Sequence, residues 1–299
     1  MIIKEPAENA GFFDWILFIP YYRAVTPLIG VSLYIHIEWS LVMDGYIEFI
    51  QQMKKKSGID LSKYKESQMK RRLKSMYEKK GFNSFSGFFK GIDQDKQLYY
   101  EFLDRMTINV SEFFRNTNRW DVLENEILPK LIKNSPKLKI WSAACSTGEE
   151  PYTLAMMLLK HLTPSKFEII ATDLDENVLA KAKIGVYHEK SITGIPKDLL
   201  AKYFVKEGEN YSVSDQLKKV ITFKKHNLLL DAYESQVDLI VCRNVLIYFT
   251  EDAKDKIYTQ FSGSLKNNGV LFVGSTEQIF QPNRYNFNSE ETFFYIKNV

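Results

Sequence analysis

From about residue 134 onward the chain alternates short apolar runs with helix-patterned segments, and this rhythm limits the available folds more than any other feature. Lys137 to Trp141, Phe167 to Thr172, Val220 to Lys225, Val237 to Cys242 and Gly269 to Val273 read as strands, and Thr292 to Lys297 closes the chain as a last one. Glu150 to Leu162 and Glu176 to Ile184 read as helices between them. Short apolar strands separated by helices predict an α/β fold with a mostly parallel sheet covered on both faces. Tyr187 to Leu217 breaks the rhythm and reads as an inserted helix and short hairpin.

The segment upstream has a different pattern. Residues 43–106 read as a small helical unit: Met69, Leu73, Met76 and Tyr77 fall on one helix face, and Leu98, Phe102 and Met106 repeat the spacing. The formal net charge of the whole chain is +3. Between Lys54 and Lys90, twelve Lys/Arg stand against three Asp/Glu, a local excess of nine positive charges. Residues 1–42 are aromatic and apolar, but Arg23 interrupts them and Pro20 and Pro27 weaken a helix, so no membrane span is expected. They read as an atypical extension outside the fold, with a peripheral membrane anchor as the alternative. Two distant cysteines and four scattered histidines exclude a disulfide scaffold, suit a reducing cytosol and predict no metal site.

Four motifs carry chemistry. Ile140 to Tyr152 runs from a strand through small residues into a helix, which in an open α/β sheet lies at the carboxyl end of the strand beside the switch point. Its single glycine, Gly148, argues against a dinucleotide pyrophosphate. Glu149 and Glu150 read either as site groups or as charges that stabilise a helix N-terminus. Asp173 closes the second strand, where ribose hydroxyls are bound, while Asp175 reads also as a helix cap. Arg243, Asn244 and Tyr248 follow a buried strand at the sheet's carboxyl edge, and Tyr248 could equally be a core aromatic. Met106 to Asn116 bridges the helical and α/β units, within a linker expected over residues 107–133.

In this order, INVSEFFRN, WSAACSTGEEPYTLAMML, ATDLDENVLAKA, KKHNLL, DLIVCRNVLIYF and GVLFVGSTEQ resemble the chemotaxis receptor methyltransferases, the CheR family. The basic YKESQMKRRLKSMYEKKGF segment resembles that family's N-terminal domain. The resemblance runs from about Met43 to the C-terminus. It implies an S-adenosylmethionine-dependent, Rossmann-like methyltransferase with a seven-stranded sheet over 134–299, a β subdomain inserted at about 187–219, and an N-terminal helical domain over 43–106. It implies cofactor contacts from Asn109, Ser111, Arg115, Glu150, Asp173, Asn227, Leu228, Arg243 and Asn244, and catalytic roles for Arg115 and Tyr248. Residues 1–42 have no counterpart in the family, and Tyr211 to Val220 lacks the glycine with which some members build a peptide-gripping turn.

The implied reaction is methyl transfer to glutamate carboxylates on the cytoplasmic helical region of methyl-accepting chemotaxis receptors. The enzyme would be a cytoplasmic, monomeric protein-glutamate O-methyltransferase. Lys70, Arg71, Arg72 and Lys74 are the expected receptor-binding residues, facing an acidic helix through complementary potential. A basic patch also suits nucleic acid, and methylation of nucleic acid is the rival enzymatic reading, although no nucleic-acid partner is expected. A non-catalytic donor-binding adaptor is the rival from another class.

Overall fold

The computed structural model describes residues 45–106 and 111–298. Residues 1–42 and Asn109 lie outside the described residues. The helical unit comprises α1 (Tyr46–Ser57), α2 (Glu66–Lys79), α3 (Phe85–Gln94) and α4 (Lys96–Met106). Its stops are local: Gly58 closes α1 at φ 74, returning its N–H to the Lys54 carbonyl, and the Ser84 hydroxyl caps α3 by accepting from Gly87 N–H. The faces read from spacing point inward, with Met69, Leu73, Met76 and Tyr77 of α2 and Leu98, Phe102 and Met106 of α4 all buried. They pack around an aromatic centre of Phe49, Phe85 and Phe88.

Beyond the bridge, α5 (Thr117–Val122) passes through one π-helical turn, Leu123–Ile127, into α6 (Leu128–Asn134). The α/β unit follows as β1 (Leu138–Ala143), α7 (Glu149–His161), β2 (Phe167–Asp173) and α8 (Glu176–Ile184). An inserted subdomain contains β3 (Val186–His188), α9 (Lys197–Tyr203), β4 (Phe204–Glu207), β5 (Asn210–Val213) and α10 (Asp215–Lys218). The main sheet resumes with β6 (Ile221–Lys225), β7 (Val237–Cys242), α11 (Glu251–Ser264), β8 (Leu265–Val273), β9 (Phe287–Glu291) and β10 (Phe294–Lys297).

Seven strands form the main sheet in the order β6-β2-β1-β7-β8-β10-β9. Neighbours from β6 to β8 are parallel, and β10 is antiparallel to both β8 and β9. The chain leaves β1 outward to β2 and β6, then returns to β7 and β8 on the other side. The switch point therefore lies between β1 and β7, where open α/β sheets bind ligands. Alternate residues of each strand serve opposite cores, as a period of two requires. On β7, Leu239 and Val241 join one cluster while Ile240 and Cys242 join the other. The inserted unit is a three-stranded antiparallel sheet, β3-β5-β4.

The sequence reading and the structure differ in three places. Thr117–Lys133 of the expected linker is largely helical. An additional strand, β9, pairs with β10 at the sheet edge. The β4–β5 turn does contain a glycine, Gly208 at φ 64, just before the Tyr211 to Val220 stretch.

Candidate active site

The four motifs converge on one cleft at the carboxyl ends of β1, β2, β6 and β7. Ser111, Arg115, Glu150, Asp173, Asn227, Leu228, Arg243, Asn244 and Tyr248 all line it. Backbone conformation there is unusual. Ala144 (φ 66), Ser146 (φ 49) and Gly148 (φ 99) after β1, Asn244 (φ 61) after β7, and Phe114 (φ 52) and Asn116 (φ 59) in the bridge are all left-handed. Such conformations cost energy in non-glycine residues and persist where surrounding contacts hold them. Gly148 is required by space as well, since a Cβ would lie 2.9 Å from Ala182 Cβ and 3.0 Å from the Tyr187 hydroxyl.

Asp173 sits at the end of β2 with each carboxylate oxygen accepting one backbone N–H, from Ser146 at 2.8 Å and from Asp175 at 3.0 Å. An ionised carboxylate has about four acceptor positions. Capacity therefore remains for a vicinal diol. Burial pushes the Asp173 carboxyl up to about 6, against the pull of those N–H donors. Asp175 caps α8 by accepting from Asn177 N–H at 2.8 Å, which is its alternative reading from sequence.

Glu150, on the first turn of α7, accepts from the Ser142 hydroxyl at 2.8 Å. Burial pushes its carboxyl up to about 7, with the Arg243 guanidinium, 3.9 Å away, pulling the other way. Arg243 is itself buried between Trp120 and Phe272, 5.1 and 4.7 Å from their ring centres. It donates to the Arg115 carbonyl at 2.8 Å and to Asn116 Oδ1 at 3.2 Å. Arg243 thereby anchors the bridge, and the half-buried Arg115 side chain reaches the cleft from that anchored backbone. The inserted subdomain pins the bridge from the other side, with Phe113 4.9 Å from the ring of Tyr187 and 5.6 Å from that of Phe204.

The helical unit closes the cleft's rim. Lys65 N–H donates to the Tyr248 carbonyl and Thr250 N–H to the Lys63 carbonyl, each at 2.9 Å. Tyr64 lines the cleft, with its ring 4.7 Å from that of Phe249. The basic residues of α2 divide into two groups. Arg72 turns toward the cleft, its guanidinium 5.5 Å over the Tyr248 ring and donating to the Met106 carbonyl at 3.3 Å. Arg71 and Lys74 are exposed, and Lys70 is half-buried beside the Tyr46 ring. None of the four lines the cleft directly.

Tyr64 and Glu277 are not among the residues the sequence singles out, and His226 is expected there only to pack or hydrogen-bond. His226 lines the cleft and packs edge-on against Trp141 at 5.2 Å. Buried Glu277 accepts from several backbone N–H groups around the Arg243 to Ile247 loop. Among the described residues no cluster of His, Cys, Asp and Glu could hold a metal ion, and no helix is long and apolar enough to cross a membrane.

The family model for the "CheR methyltransferase, SAM binding domain" matches residues 109–294, and that for the "CheR methyltransferase, all-alpha domain" matches residues 44–107. Sheet order, cleft and this match define a Rossmann-like, S-adenosylmethionine-dependent methyltransferase. A chemotaxis protein methyltransferase of Listeria innocua is 46% identical over 84% of this chain and 97% of its own length. One of Borreliella burgdorferi is 38% identical over 74% of this chain and 83% of its own length. Chemotaxis protein methyltransferase 1 of Pseudomonas aeruginosa is 35% identical over 76% and 87%, respectively. The chain belongs to the CheR methyltransferase family.

The residues present fit the methyl donor. Asp173 has acceptors left for a ribose diol, and Glu150 is a buried acid suited to a cationic amino group. Ser146 Oγ and Arg243 Nε are buried without a hydrogen-bond partner among the described residues, as in a cradle awaiting polar ligand atoms.

Proposed function

We propose that this protein esterifies glutamate side chains on the cytoplasmic helical region of methyl-accepting chemotaxis receptors, giving glutamate methyl esters and S-adenosylhomocysteine. It would act as a cytoplasmic monomer. The observation that supports this most is Arg72 on the Tyr248 ring, which makes the basic helix α2 and the cleft one continuous surface. An acidic helix lying on α2 would bring a carboxylate to the cleft mouth.

When bound, S-adenosylmethionine supplies an electrophilic methyl group. Asp173 would hold its ribose hydroxyls, and Glu150 would receive its ammonium. Asn227 and Leu228 form the wall after β6, with Ser111 on the bridge side. Arg115 and Tyr248 orient the incoming carboxylate. An exposed glutamate has a reference pKa of about 4.3, so it arrives ionised and needs no general base. Burial pushes both thiols, Cys145 and Cys242, well above their ordinary value, which keeps them protonated and unreactive. Rate enhancement then comes from positioning, which supplies on the order of 7 to 11 kcal/mol in well-oriented cases.

The test uses tritiated S-adenosylmethionine and receptor-containing membranes. Wild-type protein should label the receptors, and Arg115→Ala should abolish labelling while keeping its circular dichroism spectrum. Near wild-type turnover by Arg115→Ala would remove that residue from the mechanism. Failure of the wild type to label receptors would overturn the assignment.

A further inference from the structure

We infer that Glu277 is a positioning residue for methyl transfer: its carboxylate clamps the loop that presents Arg243, Asn244 and Tyr248 to the cleft through three backbone N–H groups and ties that loop to Gly274 through a fourth. Oε2 accepts from Asn244 N–H at 2.6 Å and Gly274 N–H at 2.8 Å. Oε1 accepts from Leu246 N–H at 2.6 Å and Ile247 N–H at 3.3 Å. The residue is 5% exposed. A carboxylate offers about four acceptor positions, and here four N–H groups occupy them.

The loop needs this support because it has little of its own. It leaves β7 through Asn244 at φ 61, so the chain turns away from the sheet in a strained conformation. It then makes only a short 3-10 turn, Leu246–Tyr248, which has no side-chain cap. Buried N–H groups without partners are costly, and each bond to a charged acceptor contributes more than a neutral one. Glu277 itself is held by the Gly274 turn. A Cβ at Gly274 would lie 2.5 Å from Glu277 Oε2 and 2.8 Å from Asn244 N, so only glycine lets the clamp close. Glu277 and the loop N–H groups it holds are 30 to 33 residues apart in sequence. The clamp ties the end of β8 to the end of β7, setting where three cleft side chains start.

The inference rests on the proposed reaction, and two substitutions separate their failures. Glu277→Gln keeps the shape but replaces one acceptor with an amide NH2 group that faces two N–H donors. Gly274→Ala leaves the carboxylate in place and wedges the clamp open. Each variant should lower kcat by on the order of 100-fold and weaken S-adenosylhomocysteine binding by roughly tenfold, as expected for small misplacement of a reacting group. The KM for receptor should stay near wild type, because α2 is untouched. Amide exchange should quicken at residues 243–248 and remain unchanged in β1 and β2. If Glu277→Gln does not fold, Gly274→Ala remains as the test. A folded variant with kcat and product affinity within about twofold of wild type, or with only a lowered Tm, overturns the inference. A wild-type protein that neither binds the product nor labels receptors defeats the proposed reaction instead.

Discussion

Two acids set the chemistry of the cleft at the level of single residues. Burial pushes Asp173 to about 6 and Glu150 to about 7. Both values lie above the usual carboxylate range, so the folded, ligand-free protein holds protons that the unfolded chain releases near pH 4. These groups therefore favour the fold below about pH 4 and lose that contribution as pH rises through about 6 to 7. A bound ammonium reverses the preference by favouring the ionised forms. Calorimetry should show S-adenosylhomocysteine affinity rising roughly tenfold between about pH 5.5 and 7.5, with proton release on binding. Glu150→Gln should bind more weakly at pH 7.5 and show a flatter pH dependence. A pH-independent wild-type affinity would contradict the assignment of Glu150. Both acids were legible in the sequence because each closes or follows a strand at a ligand-binding edge. Glu277 was not, because its partners are backbone N–H groups of a distant loop, which leave no side-chain pattern.

At the scale of elements, the loop after β1 is fixed by shape more than by charge. Gly148 combines φ 99 with a Cβ direction blocked by Ala182 and Tyr187. Gly148→Ala should destabilise the protein by about 1 to 3 kcal/mol, measured by urea titration, because strain and a clash act together. An unchanged midpoint would mean that the loop yields easily. The core strands were legible because their apolar residues serve two cores at once and so form short, nearly continuous runs. β9 was not, because Phe287–Glu291 is an edge strand with only Phe287 buried, and its polar residues read as loop. The helical stretch from Thr117 to Asn134 was hidden by Pro129 and by its π turn, which shifts the helical period. The inserted sheet was legible only as a hairpin, because β3 is three residues long.

The whole molecule joins a basic recognition unit to a donor-binding sheet through a narrow seam. Tyr64 packs against the core of both units, and Arg72 spans from α2 to Tyr248. The charge excess of the first unit was visible in composition, but its division into an exposed group and a cleft-facing Arg72 needed the packing of Met106 against α2. Reversing Lys70, Arg71 and Lys74 to Glu should weaken capture by receptor fragments at least about tenfold while leaving S-adenosylhomocysteine affinity unchanged. Equal loss of both would point to unfolding instead of recognition. Raised salt should mimic the reversal, because the exposed pairs it screens lie on that face. Esterification would remove a negative charge from the receptor helix and so shift the balance of a two-state bundle.

Mass spectrometry of receptor peptides tests the central claim most directly. After incubation with S-adenosylmethionine and this protein, receptor glutamate residues should be heavier by one methylene group and revert to glutamate in mild alkali. Methyl groups that survive alkali, or that sit on nucleic acid or another type of side chain, would contradict it.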